Sequence, residues 1–500
     1  MKKSQAVLLP LFFLIYFHPQ AAYSQAASKP RMNCLIDGIS PGERMLDVGC
    51  HLTGLPAGKV ALRFKDRYAG VDGLSDRIYS FRASDAAGNS LLPEIRDAGF
   101  YLLNISSGQM PIRLSYRIHL EKALDPSQYA LCSSLGTEAG VLLISDLLPQ
   151  ICATDGDQCT SPQLGLRITP PNDWKTVTVE RMTGDEFVIP EPDNAVFVIG
   201  KVREKVAATG ATNLRVAIVG RWNFDDEEVF RLAGAVAREQ ASLMGSLEHG
   251  DYLLTLAPFP IPMTGLRSSG LAIGRSATLM LNSNDDPRQS FAHFRRHLPH
   301  EMFHFYLPNS FQIRENFDWF WEGFTRYIAM LTLLRLHQID QQEFFDSIGA
   351  DYESWFFNSV KTEISLLDAS LGKFSSPAQN DLVYRKGALI AALYDLELRW
   401  QSKGAINLPI VIRRIYDRYG NRKDVLGNTE LLGELGRAGK MDRFISDFIS
   451  GVRDVPIMEM LKTYGLTLEW GPASRGRARI RKAEKISGRQ RAFLQAEYGT

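Results

Sequence analysis

The chain has 500 residues, of which 45% are apolar and 23% are charged, and its formal net charge is +1. This length exceeds what one hydrophobic core usually organises, so we expect two or more domains. The balanced charge provides no general attraction to nucleic acid or to an anionic membrane surface, and we expect no nucleic-acid partner.

Residues 1–26 have the features of a secretory signal peptide. Two lysines precede an apolar run from Ala6 to Phe17, and small residues suited to cleavage follow at Ser24 and Ala26. The alternative is a membrane anchor, but Pro10 interrupts the run, which is shorter than the roughly 20 residues that a span needs. We therefore expect a periplasmic or secreted protein with no membrane span after signal cleavage.

All five cysteines lie in the first third of the chain: Cys34, Cys50, Cys132, Cys152 and Cys159. In an oxidising compartment this distribution predicts disulfides. The shortest loops would pair Cys34 with Cys50 and Cys152 with Cys159, although spacing alone does not fix the connectivity. An odd count leaves one thiol over.

Residues 27–168 contain short apolar runs with period-two alternation, such as KVALRF and IRLSYRIHL, broken by Gly, Asp and Ser. This pattern predicts an N-terminal antiparallel β domain. The adjacent Pro170 and Pro171 indicate a connection to the next domain, because consecutive prolines do not fit inside a sheet.

Residues 169–470 form the second predicted domain, which begins with strand-like AVFVIGKV and LRVAIVGRW. A helix from about Asp225 to Met244 follows, then strand-like DYLLTLAPF and SATLMLNS, and the periodicity is helical from Pro287 onward. The fold class is therefore α+β, with a helical C-terminal half. Residues 471–500 form a basic C-terminal tail, which we expect to be solvated or frayed rather than a binding arm.

The segment HEMFH places two imidazoles and a carboxylate on neighbouring positions of one helix. His300 and His304 lie one turn apart and can bind one ion, while Glu301 is displaced toward a metal-bound water. A catalytic zinc needs a third protein ligand, and Glu322, eighteen residues beyond His304, is the natural candidate. A second helix running back past the first would bring its carboxylate to the metal.

Two further histidines, His293 and His297, precede the motif at helical spacing but lack a suitably placed glutamate. We interpret them as surface or supporting residues. Pro299 inside the helix would remove a hydrogen bond, so the helix is expected to bend or restart there. The alternative to a metal site is a chance HExxH forming a polar patch on a helix. The apolar residues around the motif and the acid in an aromatic-rich helix favour the metal.

Several segments in one order, HEMFH, WEGFTRY, VYRKGALIAALYDLELR and RDVPIMEMLKTYGL, resemble the glycyl aminopeptidase family of zinc metallopeptidases, within the gluzincins. The similarity is densest from about Val196 to Leu468. It implies an N-terminal β domain followed by a thermolysin-like catalytic domain, with Zn²⁺ as cofactor and a peptide or protein as substrate. Because the chain ends soon after GLTLEW, we expect no C-terminal PDZ module of the kind that many relatives carry.

The resemblance also implies roles for individual residues. Glu301 would be the general base that takes a proton from water and passes one to the leaving amine. Tyr384, before the Lys-Gly-Ala of YRKGALIA, would donate to the developing oxyanion. From its own sequence context, Tyr384 would be interpreted as an aromatic residue of the core.

One position departs from the family pattern. Where the family has a glutamate that grips the free amine of a substrate, this chain has Ala272 in SSGLAIGRSATLML. Two readings remain open: cleavage within a chain, or amine recognition by another acid such as Asp285 or Asp286. We expect SATLMLNS to be the edge strand that pairs with an extended substrate.

Two other classes of function compete with a zinc peptidase. One is a catalytically inactive peptidase-fold protein that serves as a binding or scaffold protein, and the other is hydrolysis of a different ester or amide by the same chemistry. The sequence does not indicate the substrate, its preferred residues or the oligomeric state.

Overall fold

The computed structural model describes residues 30–106, 109–121, 124–152, 159–209, 212–248, 250–283, 286–471 and 476–498. The predicted signal peptide, residues 1–26, lies outside this part of the chain and stays a prediction. Within the described ranges, no helix combines the length and the apolar character needed to cross a bilayer.

The N-terminal part is built almost entirely of strands. In chain order they are β1 Arg31–Ser40, β2 Met45–Thr53, β3 Gly58–Arg63, β4 Ile78–Ser84, β5 Ser90–Leu91, β6 Glu94–Asp97, β7 Phe100–Ile105, β8 Ile112–His119, β9 Ser134–Leu135, β10 Ala139–Leu143, β11 Gln150–Cys152, β12 Cys159–Thr160, β13 Gln163–Ile168, β14 Lys175–Val177, β15 Arg181–Thr183, β16 Glu186–Ile189 and β17 Val196–Gly200. A short helix, α1, spans Ile144–Leu147, and 3₁₀ turns occupy Ser75–Arg77, Pro126–Leu131 and Pro192–Asn194.

These strands form three sheets, in the orders β15-β16-β13-β1-β2-β8-β4-β5, β14-β17-β10-β9 and β12-β11-β3-β7-β6. Alternation decides which face is buried: along β8, Ile112, Leu114, Tyr116 and Ile118 point into the core while their neighbours face solvent. The pairing is antiparallel as predicted, except that β1 runs parallel to β13. The N-terminal part is therefore β-rich, and mostly but not wholly antiparallel.

Two disulfides join neighbouring strands of this part. Cys34 pairs with Cys50 across β1 and β2, and Cys152 pairs with Cys159 across β11 and β12. Cys132 is buried and belongs to neither disulfide. The expected pairing of the short loops is confirmed.

The prediction that AVFVIGKV begins the second domain is wrong. Strand β17 pairs with β10 and β14 of the N-terminal part rather than with the later strands. The error has a physical cause, because the partner of a buried strand depends on long-range packing and not on its local pattern. We infer that the N-terminal part ends near Gly200 rather than at residue 168.

The second part is organised on a five-stranded sheet, in the order β18-β19-β20-β22-β21. Its strands are β18 Arg203–Thr209, β19 Thr212–Ile218, β20 Gly250–Pro258, β21 Ser268–Ile273 and β22 Ser276–Leu281. Strands β19, β20 and β22 run parallel, whereas the outer strands β18 and β21 are antiparallel to their neighbours. The N-terminal part covers one face of this sheet, and helices α2 (Asp226–Met244) and α3 (Pro287–Phe303) cover the other.

The remaining chain is helical, as expected. Its helices are α4 Thr325–Arg335, α5 Gln341–Phe357, α6 Leu366–Leu371, α7 Pro377–Asp381, α8 Gly387–Ser402, α9 Leu408–Tyr419, α10 Asn428–Arg437, α11 Asp442–Phe448, α12 Ile457–Thr463 and α13 Gly488–Tyr498, with the short strands β23 Gln312–Ile313, β24 Val425–Leu426, β25 Leu466–Glu469 and β26 Arg479–Lys482. They enclose the largest apolar core among the described residues, centred on α8, which is buried over most of its length.

The expectation of a frayed basic tail is wrong for its described residues. Strand β26 pairs with β25, and α13 buries Phe493 and Leu494 in the helical core. Arg481 forms an ion pair with Asp346 of α5. The segment is therefore packed against the rest of the protein although it carries many basic side chains. Its apolar residues are too widely spaced to form a recognisable local pattern.

Candidate active site

Helix α3 carries the HEMFH motif to the sheet. The helix is continuous through Pro299 and does not restart there, and the Pro299 carbonyl accepts a hydrogen bond from Gln240 Nε2 at 2.7 Å. The helix ends at Phe303, but His304 keeps helical dihedrals (φ −63°, ψ −17°). His300 and His304 therefore retain their one-turn spacing.

Two π-helical turns contribute the other predicted residues. Glu322 lies in the turn Trp319–Phe324, which leads into α4, and Tyr384 lies in the turn Leu382–Lys386, which leads into α8. Single π turns within helices are frequent at functional sites. The helical pattern of the sequence did not reveal either turn.

His300, His304 and Glu322 converge on one point. The two histidine Nε2 atoms are 3.2 Å apart, and Glu322 Oε2 lies 3.2 Å from His300 Nε2 and 3.5 Å from His304 Nε2. Donors bound to zinc at about 2.0–2.2 Å in a tetrahedral arrangement are separated by about 3.3–3.5 Å. Two imidazole nitrogens and one carboxylate oxygen at these separations fit a zinc ion and leave one coordination position free.

Neighbouring groups set the orientation and charge of these donors. His304 Nδ1 donates to the Leu307 carbonyl at 2.8 Å, which directs Nε2 toward the other donors. Burial lowers the pKa of His300 to about 4, so its imidazole is neutral at physiological pH. Burial alone would raise the pKa of Glu322, but Lys373 and the two histidines hold it well below its usual range. The neutral imidazole of His300 and the ionised carboxylate of Glu322 are forms that bind metal. Burial would lower the pKa of His304, but Glu322 and Glu301 raise it in the protein without metal.

Glu301 is buried beside the donor cluster and faces strand β21. A Cβ on Gly270 of β21 would clash with the Glu301 carboxylate, so the glycine makes room for this side chain. Burial raises the pKa of Glu301 to about 7. A carboxylate with a pKa near neutrality can both accept and return a proton.

The phenol of Tyr384 lies near the donor cluster. Its ring centroid is 6.3 Å from that of His300. Burial is the largest cause of a raised pKa for Tyr384, and the charge of Glu322 adds to it. The hydroxyl therefore remains protonated and able to donate a hydrogen bond.

The structure corrects the assignment of the edge strand. SATLMLNS forms β22, which pairs on both sides, with β20 and with β21, so it is not an edge. The edge is β21, which also meets the N-terminal part, since the hydroxyl of Ser269 accepts from the Ala130 amide at 2.9 Å and donates to the Ser127 carbonyl at 2.7 Å. Two apolar segments separated by a short turn give no local sign of which one lies outermost.

Strand β21 also explains the position of Ala272. Alternate residues of a strand share a face, so Ser268, Gly270 and Ala272 all face α3. The hydroxyl of Ser268 lies 3.3 Å from His297 Nε2, and Gly270 meets Glu301 one helical turn further on. A side chain at residue 272 therefore lies on the face that carries the site, where this chain has a methyl group.

The alternative amine-binding acid Asp286 does not reach the site. Its side chain caps α3 by accepting from the Gln289 amide, fifteen residues before Glu301, which is about 22 Å along a helix. Asp285 lies outside the described residues. His293 and His297 on α3 have ring centroids 4.5 Å apart, with the rings tilted by 58°, and they are not among the three donors brought together.

Sequence reasoning missed two charged residues of the site. Lys373 Nζ donates to Glu322 Oε1 at 2.6 Å and lies 3.6 Å from Asp318 Oδ2, and both residues are buried. Asp318 is one helical turn before Glu322, which was a usable signal. The segment LGKFSSP around Lys373 has no motif or periodicity that would have indicated it.

No protein-family model and no curated protein matches the chain, but solved structures do. An aminopeptidase N family protein from Idiomarina loihiensis superposes with a TM-score of 0.75 at 19% identity, covering 88% of this chain and 79% of that one. An M1 zinc metallopeptidase from Deinococcus radiodurans gives a TM-score of 0.52 at 13% identity, covering 85% and 94%. A variant of the latter enzyme bound to a Tyr-Ser-Ala substrate gives 0.51 at 14% identity, with the same coverage.

At these identities the similarity concerns the fold. The superpositions cover 88% and 85% of this chain, so they include most of its β-rich N-terminal part and most of its helical C-terminal half. The chain thus has the fold of the aminopeptidase N and M1 zinc metallopeptidases.

Proposed function

We propose that this protein is an exported zinc-dependent metallopeptidase with a thermolysin-like catalytic domain. One observation carries the proposal: the Nε2 atoms of His300 and His304 and a carboxylate oxygen of Glu322 lie within 3.5 Å of one another, beside the buried Glu301. The two disulfides and the predicted signal peptide support export.

Each site residue has a separate role in peptide hydrolysis. A zinc ion held by His300, His304 and Glu322 would supply Lewis acidity for the water and the substrate carbonyl. Glu301 accepts the proton of the attacking water and transfers it to the leaving amine, which its pKa near 7 suits. The Tyr384 hydroxyl donates to the substrate oxygen as negative charge develops on it.

The substrate we propose is an extended peptide that lies along the edge strand β21. An edge strand offers unpaired main-chain groups, and Gly270 brings that edge against Glu301. The peptide bound to the Deinococcus enzyme variant supports a substrate of this class. With Ala272 in place of an amine-binding acid, we propose cleavage within chains, and aminopeptidase activity is the second reading.

An inactive binding or scaffold protein is the competing function. The buried Glu301 disfavours it, because the burial of a carboxyl group is costly and brings no benefit to a merely structural helix. Hydrolysis of another ester or amide would use the same residues, so only substrate screening separates it from peptide hydrolysis.

The test combines metal analysis with cleavage of a peptide library. Purified protein should carry about one zinc per chain, lose hydrolysis on chelation and regain it with added zinc. His300→Ala, His304→Ala and Glu322→Ala should each weaken zinc binding, whereas His293→Ala, on the same helix, should not. Full zinc retention by the first three variants would refute the site, and zinc binding without cleavage of any library peptide would favour the scaffold protein.

A further inference from the structure

The segment that connects α6 to α7 contains exposed residues and one buried side chain. Leu371 is 76% exposed and Phe374 is 54% exposed, whereas Lys373 between them is only 6% exposed. Its ammonium points inward to Glu322 and Asp318. A buried lysine on an exposed segment requires a specific partner, since an unpaired buried charge is strongly unfavourable.

The two oxygens of Glu322 have different partners. Oε2 faces the two histidines at 3.2 and 3.5 Å, and Oε1 accepts from Lys373 at 2.6 Å. The terminal torsion of a glutamate is broad and roughly two-fold, so the side chain alone does not fix which oxygen faces the metal position. The hydrogen bond from Lys373 fixes this torsion and makes Oε1 unavailable to the metal.

The charge of Lys373 is locally balanced. Asp318 lies 3.6 Å from the ammonium, so the pair has little net charge to repel a cation at the donor cluster. The orientation of Glu322 is therefore the dominant effect of Lys373 on the donors.

The ammonium also contacts the predicted oxyanion donor. It lies 5.1 Å from the ring centroid of Tyr384 and 4.9 Å from that of Phe374, both within cation-π range. Phe374 in turn packs against Gly70 of the N-terminal part. Lys373 thus contacts the third metal ligand, Glu322, and the phenol of Tyr384, as well as Phe374 of its own segment.

We propose that Lys373 is a positioning residue that holds Glu322 with a single oxygen directed at the metal and fixes Tyr384 beside it. This inference rests on the proposed zinc site. It assigns a role to a residue outside every recognised motif of the chain.

The test measures zinc affinity by competition with a chelator in Lys373→Met, which keeps the length of the side chain and removes its donor and charge. Loss of a residue that orients a metal ligand typically weakens metal binding about 10–100-fold, and we expect a change in this range. Lys373→Gln, which retains an N–H donor, should bind zinc with intermediate affinity and provides a second variant if the first does not fold.

Lys386→Met is the matched control. Lys386 is fully buried, and its ammonium has no hydrogen-bond partner among the described residues. Its replacement should leave zinc affinity unchanged, because it does not contact Glu322. A comparable loss in Lys386→Met would indicate a general packing effect and overturn the proposal.

A double-mutant cycle tests whether Lys373 acts through Glu322. In a Glu322→Ala background, Lys373→Met should have little further effect on zinc affinity, since the group it orients is gone. Unchanged or tighter zinc binding in Lys373→Met, or an undiminished effect in the Glu322→Ala background, would overturn the inference while leaving the peptidase proposal standing. Failure of the unmodified protein to bind zinc would instead refute the proposed function.

Discussion

Gly323 and Gly387 cross with their backbones in contact. A Cβ on Gly323 would lie 2.5 Å from the Cα of Gly387, and a Cβ on Gly387 would lie 2.8 Å from the Cα of Gly323. Gly323 directly follows Glu322, and Gly387 begins α8 three residues after Tyr384. The absence of two side chains therefore brings the two π-helical turns, and the residues they carry, to one place.

Gly387→Ala should destabilise the protein and disturb both site residues. Inserting a methyl group into this contact forces the backbones apart, and such overpacking typically costs about 1–3 kcal/mol. Urea unfolding of the zinc-free variant measures the free energy of unfolding, and chelator competition measures the expected loss of zinc affinity.

Gly433→Ala is the control for the glycine substitution. Gly433 lies inside α10, where the nearest atoms to a Cβ belong to the flexible end of Arg437. Alanine there should stabilise the helix by about 0.5–1 kcal/mol. The packing argument would be refuted by equal stability changes, in the same direction, for the two variants.

The local part of the site was predictable from sequence, because helical spacing alone brings His300 and His304 to one face and places Glu301 next to them around the helix. Glu322 was predicted because a catalytic zinc needs a third protein ligand, and Tyr384 came from the resemblance to a family. A single chain gives no measure of which distant residues lie in contact. Lys373 could not be predicted. Its role depends on a contact with Glu322 across 51 residues, made by a segment without periodicity.

The fold was predictable to a similar extent. Strand and helix periods identified the β-rich and helical halves, but not which strands pair. The exchanged roles of β21 and β22, and the pairing of β17 with the N-terminal part, both follow from long-range burial. Ala272 was found as a departure from a family pattern, and its place on the site face of β21 gives that departure a structural meaning.

Glu301→Gln should retain zinc and lose hydrolysis. The amide has nearly the shape of the carboxyl group but cannot accept a proton from water, and general-base catalysis typically contributes about 10²–10⁴-fold to the rate. Turnover of a good library peptide and zinc content are measured on the same sample. A variant that keeps its metal and near-normal turnover would exclude Glu301 as the base.

Tyr384→Phe should lower kcat about 10²–10³-fold, with little change in KM, because an oxyanion donor acts mainly in the transition state. Zinc content should be unchanged, since the phenol is not one of the three converging donors. Tyr394→Phe is the control. This buried phenol lies outside the site and donates a hydrogen bond of 2.6 Å to the Leu435 carbonyl. A change confined to KM would contradict the role of Tyr384.

The zinc-free protein should lose stability as pH falls below about 6.5, and His297 should account for part of this loss. Burial lowers its pKa from 6.5 to about 3, and the nearby cationic or ionisable groups of His293, His300, Arg326 and Arg296 act in the same direction. Between these two pKa values the unfolded chain binds a proton that the folded chain does not. The free energy of unfolding therefore decreases by up to about 1.4 kcal/mol for each pH unit by which the pH falls. Above pH 6.5 the contribution of His297 does not change.

His297→Gln measures that contribution. The variant cannot titrate, so its free energy of unfolding should fall less steeply between pH 6.5 and pH 3 than that of the unmodified zinc-free protein. His51→Gln, at an exposed position of β2, should leave the slope unchanged. Identical slopes for the unmodified protein and His297→Gln would contradict a buried neutral imidazole at this position.

Two features predict which peptides are cleaved. Strand β21 is an edge strand, and its residue 272 carries only the methyl group of alanine. A free α-ammonium placed beside residue 272 would be desolvated without a carboxylate to compensate it, so a free N-terminus should confer no advantage. A peptide and its N-acetylated form should be cleaved at similar rates. Strict dependence on the free amine would overturn the endopeptidase reading and establish an aminopeptidase with a different amine-binding group.

Ala272→Glu tests the same argument by restoring the missing acid. Its side chain would start on the face of β21 that meets α3, and a charge-assisted hydrogen bond to an ammonium contributes about 1.5–3 kcal/mol, or roughly 10-fold or more in preference. The variant should therefore favour the free peptide over its acetylated form, while Ala272→Gln, similar in shape but uncharged, should not. If both variants discriminate equally, the size of the side chain rather than its charge controls access. If neither does, residue 272 does not face the substrate's N-terminus, and the endopeptidase reading would rest on the acetylation result alone.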